Sequence, residues 1–246
     1  MLSMIPRLIG HRGAKETAPE NTLASIREAA AQGAAWIEFD VMLTRDGVPV
    51  VIHDDTLDRT TDGHGPMNAV DHADLKRLDA GSWFDSRFAG ERVPDFTEAL
   101  DLARGLNLGI NVEIKPTPGQ EDETAAAVVS VLQQHWREHG RLLVSSFEVP
   151  SLETVRRLAP ALPLGYLLWE PPADWAAIAD RLRADTLNVD QERQTARSVA
   201  EYRATGRPVL AYTVNSAGRA AELFSWGVNA VFTDAPGRLH CEMEAL

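Results

Sequence analysis

The chain has 246 residues, 36 of them Asp or Glu and 24 Lys or Arg, for a formal charge of −12. That balance excludes a general nucleic-acid binder, which needs clustered cations against phosphates, but not a small anionic substrate held at a locally positive site. With 44% hydrophobic residues and one cysteine, Cys241, the chain can bury a sizeable core and cannot form an internal disulfide.

In chain order the first strand is Leu8–His11, followed by a helix over Thr22–Gln32 that Gly33 ends, and by a strand over Trp36–Leu43. The segment Leu43-Thr-Arg-Asp-Gly-Val48 reads as a hairpin with a two-residue turn at Asp46-Gly47. Val48–His53 would then run back antiparallel. Counting outward from the turn pairs Arg45 with Val48 and therefore Asp40 with His53. Asp54–Phe96 is polar and Gly-rich with weak periodicity, and is expected to be an insertion over about 54–96 rather than a separate domain.

Strands are next expected at Gly109–Ile114, Leu142–Phe147, Pro163–Leu168, Thr186–Val189, Val209–Val214 and Ala230–Thr233. Helical spacing marks Glu121–His139, Ser151–Leu158, Ala173–Arg183, Ala196–Thr205 and Ala217–Trp226 between them. In the second half strand starts recur about every 21 to 23 residues, the length of a compact parallel crossover unit. Eight such strands in a chain of about 250 residues predict one (β/α)₈ TIM-barrel domain over 1–246, with the antiparallel hairpin strand and the small insertion after the second barrel strand. A doubly wound open sheet is the alternative, but no G-x-G-x-x-G follows any strand. No apolar run approaches the roughly 18 residues of a membrane span, and Met1–Ile9 is too short for a secretory leader. A cytoplasmic protein without stable membrane insertion is expected, and the Ala/Leu-rich outer helices leave a homodimer open.

Glu38 and Asp40 are two apart on a strand and so share a face. A barrel strand covered on both sides should be nearly all apolar, and two carboxylates there are costly unless a cation meets them. Glu113 interrupts the next barrel strand in the same way. Three carboxylates at adjacent strand ends point to one hard divalent cation, Mg²⁺ or Ca²⁺, or else to buried ion pairs with Arg12 and Lys115. His11 ends the first strand, on the face where barrels of this kind carry their active sites, and the hairpin count brings His53 beside Asp40. Such a pair suits a general acid and a general base, or else two further metal ligands. Arg12 and Lys115 suit a phosphate oxyanion, balance the carboxylates, or do both. A competing motif, His135-Trp-Arg-Glu-His139, fits the inverted zinc-protease pattern H-x-x-E-H. It occupies an expected last helical turn and no third ligand follows it.

Gly10-His-Arg-Gly13, Pro19-Glu-Asn-Thr22, Ile37-Glu-Phe-Asp-Val41, Val51-Ile-His-Asp54, Glu113-Ile-Lys115, Ser145-Ser-Phe147, Tyr212-Thr-Val-Asn215 and Thr233-Asp-Ala-Pro236 occur in that order. Together they resemble the glycerophosphodiester phosphodiesterase family of the bacterial cytoplasmic type. The resemblance implies a (β/α)₈ barrel that hydrolyses a small-molecule glycerophosphodiester, such as glycerophosphocholine or glycerophosphoethanolamine, to sn-glycerol 3-phosphate and an alcohol. It implies His11 and His53 as the acid–base pair, Glu38, Asp40 and Glu113 as metal ligands, and Arg12 and Lys115 as phosphate contacts. Gly81-Ser-Trp-Phe84 resembles the insertion segment that brings an aromatic near the glycerol, which makes Phe84 a candidate, and Tyr212 stands where the family often has Trp. Two other readings are phospholipase D-like hydrolysis of lysophospholipids and a non-catalytic phosphodiester-binding barrel. The charged insertion disfavours the first and the presence of both histidines the second.

Overall fold

The computed structural model describes residues 5–137 and 139–245. Among them the strands are β1 (Leu8–Gly10), β2 (Trp36–Leu43), β3 (Pro49–Val51), β4 (Gly109–Ile114), β5 (Leu142–Ser146), β6 (Leu164–Leu168), β7 (Thr186–Asp190), β8 (Val209–Tyr212) and β9 (Ala230–Thr233). All but β3 pair in parallel, in the order β1-β9-β8-β7-β6-β5-β4-β2, and a β1–β2 pairing closes the ring. The expected eight-stranded TIM barrel is therefore present, with β3 antiparallel to β2 outside the ring.

The hairpin differs from the expected count by one residue. Val41 faces Val51 and Leu43 faces Pro49, so Asp40 lies opposite Ile52, whose N–H donates to the Asp40 carbonyl at 3.1 Å. The loop has three residues, Arg45-Asp46-Gly47, because Thr44 rather than Arg45 pairs with Val48. Gly47 takes the left-handed position (φ 80°) that such a loop needs, and the Thr44 hydroxyl holds Asp46 and accepts from the Val48 N–H. His53 falls just past β3, where the chain is free to turn it toward the barrel mouth.

The outer helices are α1 (Leu23–Ala31), α2 (His72–Leu75), α3 (Phe96–Gly105), α4 (Glu121–His135), α5 (Val149–Leu158), α6 (Trp175–Leu182), α7 (Ala196–Arg203), α8 (Ala217–Trp226) and α9 (Pro236–Glu244). Neither α3 nor α9 was expected. The start signal of α3 is a capping box, Asp95 with Glu98. α4 stops at His135, short of the expected His139, because the Trp136 backbone turns extended and its indole buries in the core. His135 and His139 are consequently not on one helix, and Glu138 of the H-x-x-E-H pattern lies outside the described residues. Between β3 and α3 the insertion has its own small core, in which Leu57, Met67, Leu75, Ala80 and Val93 pack against Met42, Val50 and Ile52. No helix among the described residues is long and apolar enough to cross a membrane.

Every residue of β2 is buried, as a strand walled by helices on one side and the barrel lumen on the other requires. Ile37, Phe39 and Val41 join the main core beneath the helices. The lumen floor is a separate apolar cluster that includes Ile9, Trp36, Leu143, Leu210 and Ala230. Trp36 fits there because its neighbour on β4 is Gly109, where a Cβ would sit 2.3 Å from the indole. Two residues further along the same strands come His11, Glu38, Ser145, Tyr212 and Phe232. The lumen thus passes from an apolar plug to a polar, aromatic-sided mouth at the C-terminal ends of the strands.

Candidate active site

A cavity of about 190 Å³ occupies that mouth. One side is polar, formed by His11, Arg12, Glu38, His53, Asn111 and Glu113; the other is formed by Phe147, Leu167, Tyr212 and Phe232. Most of the expected site is brought together here. Asp40 lies buried behind the polar side. Lys115, at the exit of β4, does not line the cavity, though its charge reaches Glu113 and His53. Phe84 does not line it either, and instead packs edge-on against Trp83 and Phe88 in the insertion. Tyr212 lines it, donates from its hydroxyl to the Leu168 carbonyl at 3.1 Å, and meets Phe147 edge to face.

The loop after β1 is shaped by Gly13. Its φ of 85° and its contact with Ser25, where a Cβ would lie 2.3 Å from Oγ, leave no room for a side chain. Ser25 clamps the loop, donating its hydroxyl to the Arg12 carbonyl (2.7 Å) and accepting from the Ala14 N–H (2.9 Å). The Arg12 backbone is held left-handed (φ 51°), which turns its N–H onto Glu38 Oε2 at 2.9 Å. Its guanidinium donates to Glu20 at 2.6 Å and lies 3.2 Å from Asp40 without a hydrogen-bonding alignment.

Parallel register sets Asp40 beside Glu113 and Glu38 beside Asn111. The carboxylates of Glu38, Asp40 and Glu113 each offer an oxygen within 4.8 Å of the others. Burial, and then repulsion from Asp40 and Glu113, push the Glu38 carboxyl well above its ordinary range. Burial and Asp40 push Glu113 up to about 8, against the pull of Lys115 and Arg12. Burial also disfavours the Asp40 charge, but Arg12, His53 and the Asn21 amide, which donates to Asp40 at 2.8 Å, outweigh it and hold Asp40 low. Oε1 of Glu38 is buried without a hydrogen-bond partner. An all-oxygen donor set short of positive charge, with one oxygen unmet, fits a hard divalent cation.

Each histidine has a carboxylate at Nδ1. Gly10 pairs with Thr233, so the next residues on these two neighbouring strands, His11 and Asp234, meet with Nδ1 2.6 Å from Oδ1. Asn215 donates to the other Asp234 oxygen at 2.8 Å. His53 Nδ1 lies 2.6 Å from Oδ1 of its own neighbour Asp54. Arg59 grips Asp54 at 2.6 and 2.9 Å and Glu20 at 2.8 Å through both terminal nitrogens. A carboxylate at Nδ1 fixes the N–H there and leaves Nε2 with its lone pair. Burial lowers the pKa of both histidines despite these bonds, which favours the neutral ring. His11 Nε2 lies 4.0 Å from Glu38 Oε2.

Asp234, Asn215, Asp54, Glu20 and Asn21 all sit inside the motif segments noted in the sequence, yet apart from Asp54, the chain neighbour of His53, only the folded barrel reveals their work; Arg59 sits in none of them.

The chain is similar to known proteins over almost its whole length. Residues 11–238 match the model of the glycerophosphoryl diester phosphodiesterase family. A glycerophosphodiester phosphodiesterase of Caldanaerobacter subterraneus is 35% identical over 240 residues, covering 94% of this chain and 95% of the relative. One of Bacillus subtilis is 34% identical, covering 94% and 84%. Among solved structures, a phosphodiesterase of Oleispira antarctica in complex with the product sn-glycerol-3-phosphate superposes with a TM-score of 0.94 at 40% identity, covering 98% of this chain and 97% of that one. With its barrel, its site and these relatives in agreement, the chain belongs to the glycerophosphoryl diester phosphodiesterase family.

Proposed function

We propose that the protein hydrolyses water-soluble glycerophosphodiesters, such as glycerophosphocholine and glycerophosphoethanolamine, to sn-glycerol 3-phosphate and an alcohol, with one bound Mg²⁺ or Ca²⁺. The observation that carries this reading is two histidines, each held by a carboxylate at Nδ1, beside three crowded carboxylates around one cavity. The product named in the Oleispira complex supports the substrate class.

Glu38, Asp40 and Glu113 would hold the cation, which when bound supplies charge stabilisation to a non-bridging phosphoryl oxygen. Arg12 and Lys115 offset the remaining phosphate charge. One histidine takes, at Nε2, the proton of the glycerol 2-hydroxyl as that oxygen attacks phosphorus. The other, protonated, gives its Nε2 proton to the alcohol oxygen as its bond to phosphorus breaks. The product of this step is a cyclic glycerophosphate. Water then opens the ring with the two roles exchanged, and glycerol 3-phosphate leaves. An attacking hydroxyl already tethered to the phosphate has a high effective molarity. Tyr212 and Phe147 offer an apolar wall to the carbon skeleton.

The test measures glycerol 3-phosphate release from both diesters with and without chelator, in the wild type and in His11→Ala and His53→Ala. Release should stop with chelator, return with Mg²⁺ or Ca²⁺, and fall steeply in each variant. A slow variant should accumulate the cyclic glycerophosphate. Full activity in chelator would remove the cation, full activity in His11→Ala would remove the acid–base pair, and solvent ¹⁸O incorporation with no cyclic species at any time would remove the internal attack.

A further inference from the structure

We infer that Asn111 supplies a fourth protein ligand, a neutral oxygen, to the cation held by Glu38, Asp40 and Glu113; the inference rests on the metal reading above. Four side chains stand at the corners of a square on two neighbouring strands. Glu38 and Asp40 are two apart on β2, Asn111 and Glu113 two apart on β4, and the register places Glu38 beside Asn111 and Asp40 beside Glu113. Three corners carry the carboxylates. The fourth is an amide, 1% exposed, that lines the same cavity as Glu38 and Glu113.

The amide is oriented. Asn111 Nδ2 donates to the Ser145 hydroxyl on β5 at 2.9 Å, the strand on the far side of β4 from Glu38. Its Oδ1 is buried and accepts from nothing, like Oε1 of Glu38 beside it in register. With Glu38 ionised, as a cation site requires, two unmet acceptors in one layer cannot satisfy each other, and each orphan carries a desolvation cost. A cation between them meets both. Ca²⁺ takes six to eight oxygens and draws on amide carbonyls as well as carboxylates, so three carboxylates offering one oxygen each leave it short. An amide adds a ligand without adding a fourth negative charge to a crowded cluster.

The competing arrangement is an amide turned over, with Nδ2 donating to Glu38 Oε1 and Oδ1 accepting from Ser145. It makes Asn111 a support for Glu38 and not a ligand. Calorimetric titration of the chelator-stripped full-length protein separates the two. Asn111→Leu should bind Ca²⁺ at least about tenfold more weakly and Mg²⁺ with a smaller loss, because Mg²⁺ keeps several waters in place of protein ligands. A crystal of the wild-type protein soaked in Mn²⁺ should place Oδ1 of Asn111 within about 2.6 Å of the ion, and this reading stands even if the Leu variant does not fold. Unchanged Ca²⁺ affinity, an equal loss for both ions, or an ion bound by the three carboxylates with the amide nitrogen turned onto Glu38 would overturn the inference alone. No ion at the carboxylates, in the calorimeter or in the crystal, would overturn the metal reading with it.

Discussion

Asp234→Asn changes one oxygen for one NH₂ group, and the structure determines where that group points. Asn215 Oδ1 accepts from the Thr233 hydroxyl (3.1 Å) and the Asp234 N–H (2.9 Å), so its Nδ2 is committed to donating toward position 234. The new amide must therefore give its oxygen to Asn215 and its NH₂ to His11 Nδ1. His11 then accepts at Nδ1 and carries its proton on Nε2, the reverse of the tautomer that the carboxylate imposes. The same exchange in a Ser-His-Asp triad costs about 10⁴ in kcat. Here Asp234 is 21% exposed and a second histidine is untouched, so a loss of about 10²–10³ is expected, or about 3–4 kcal/mol of barrier. KM should move little, because Asp234 does not line the cavity. The assay is steady-state release of glycerol 3-phosphate, alongside ¹⁵N-NMR of the His11 ring, in which the protonated nitrogen should change from Nδ1 to Nε2. A folded variant with kcat within about threefold of wild type would refute the tautomer reasoning.

Burial works against the Glu20 charge, but hydrogen bonds from Arg59 and Arg12 win and lower its pKa from 4.5 to about 2. A depressed carboxylate stabilises the fold above its unfolded pKa, and that stability is lost as the pH falls from about 4.5 to about 2. It amounts to about 3 kcal/mol, so Glu20→Gln should unfold more readily at pH 7 in urea and lose the extra acid sensitivity that the wild type shows in this window. Glu113 carries the opposite sign, its raised pKa of about 8 making the metal-free fold less stable as the pH rises from about 4.5 toward 8. The melting temperature of chelated protein should fall across that range, and Ca²⁺ or Mg²⁺ should reverse the fall; a flat chelated profile would contradict the crowding of the carboxylates. Lys115 makes no side-chain hydrogen bond or ion pair among the described residues, and its charge acts on Glu113 at a distance, so Lys115→Met should leave the protein folded, with a urea stability lower by no more than about 1 kcal/mol, while raising KM for the phosphodiester severalfold. An unchanged KM would remove Lys115 from phosphate binding.

The strands were legible because each is a short apolar run at a regular interval, and the carboxylates because they break such runs. Glu38, Asp40 and Glu113 stand out on chain-local grounds alone. Apart from the family resemblance, His53 was legible through the hairpin, and there the count slipped by one because the Asp46-Gly47 pair is the end of a three-residue loop that the Thr44 hydroxyl closes. Helix α4 looked longer than it is because Trp136 continues the apolar period, yet reaches the core from an extended backbone. The partners of the histidines were harder for different reasons. Asp54 adjoins His53 and could have been paired with it at sight. Asp234 is 223 residues from His11, and only closure of the ring makes their strands neighbours. Arg59 lies in a segment without periodicity, and nothing in its surroundings announces that it will reach back to Glu20.

That reach has a consequence for how such barrels can be re-engineered. The segment from 55 to 95 packs largely on its own core and on the outer hairpin, while its Arg59 ties it ionically to the barrel residue Glu20 and to Asp54 behind His53. The segment is thus a cap whose link to Glu20 and Asp54 runs through Arg59, beside outer ties such as Lys76 to Glu98 and Arg87 to the Thr17 carbonyl. A foreign segment grafted after Asp54 would leave the catalytic machinery in place if it presented an arginine at that point. Without one, it would leave Asp54 without its arginine and Glu20 to Arg12 and Lys15 alone, however well the graft itself folded.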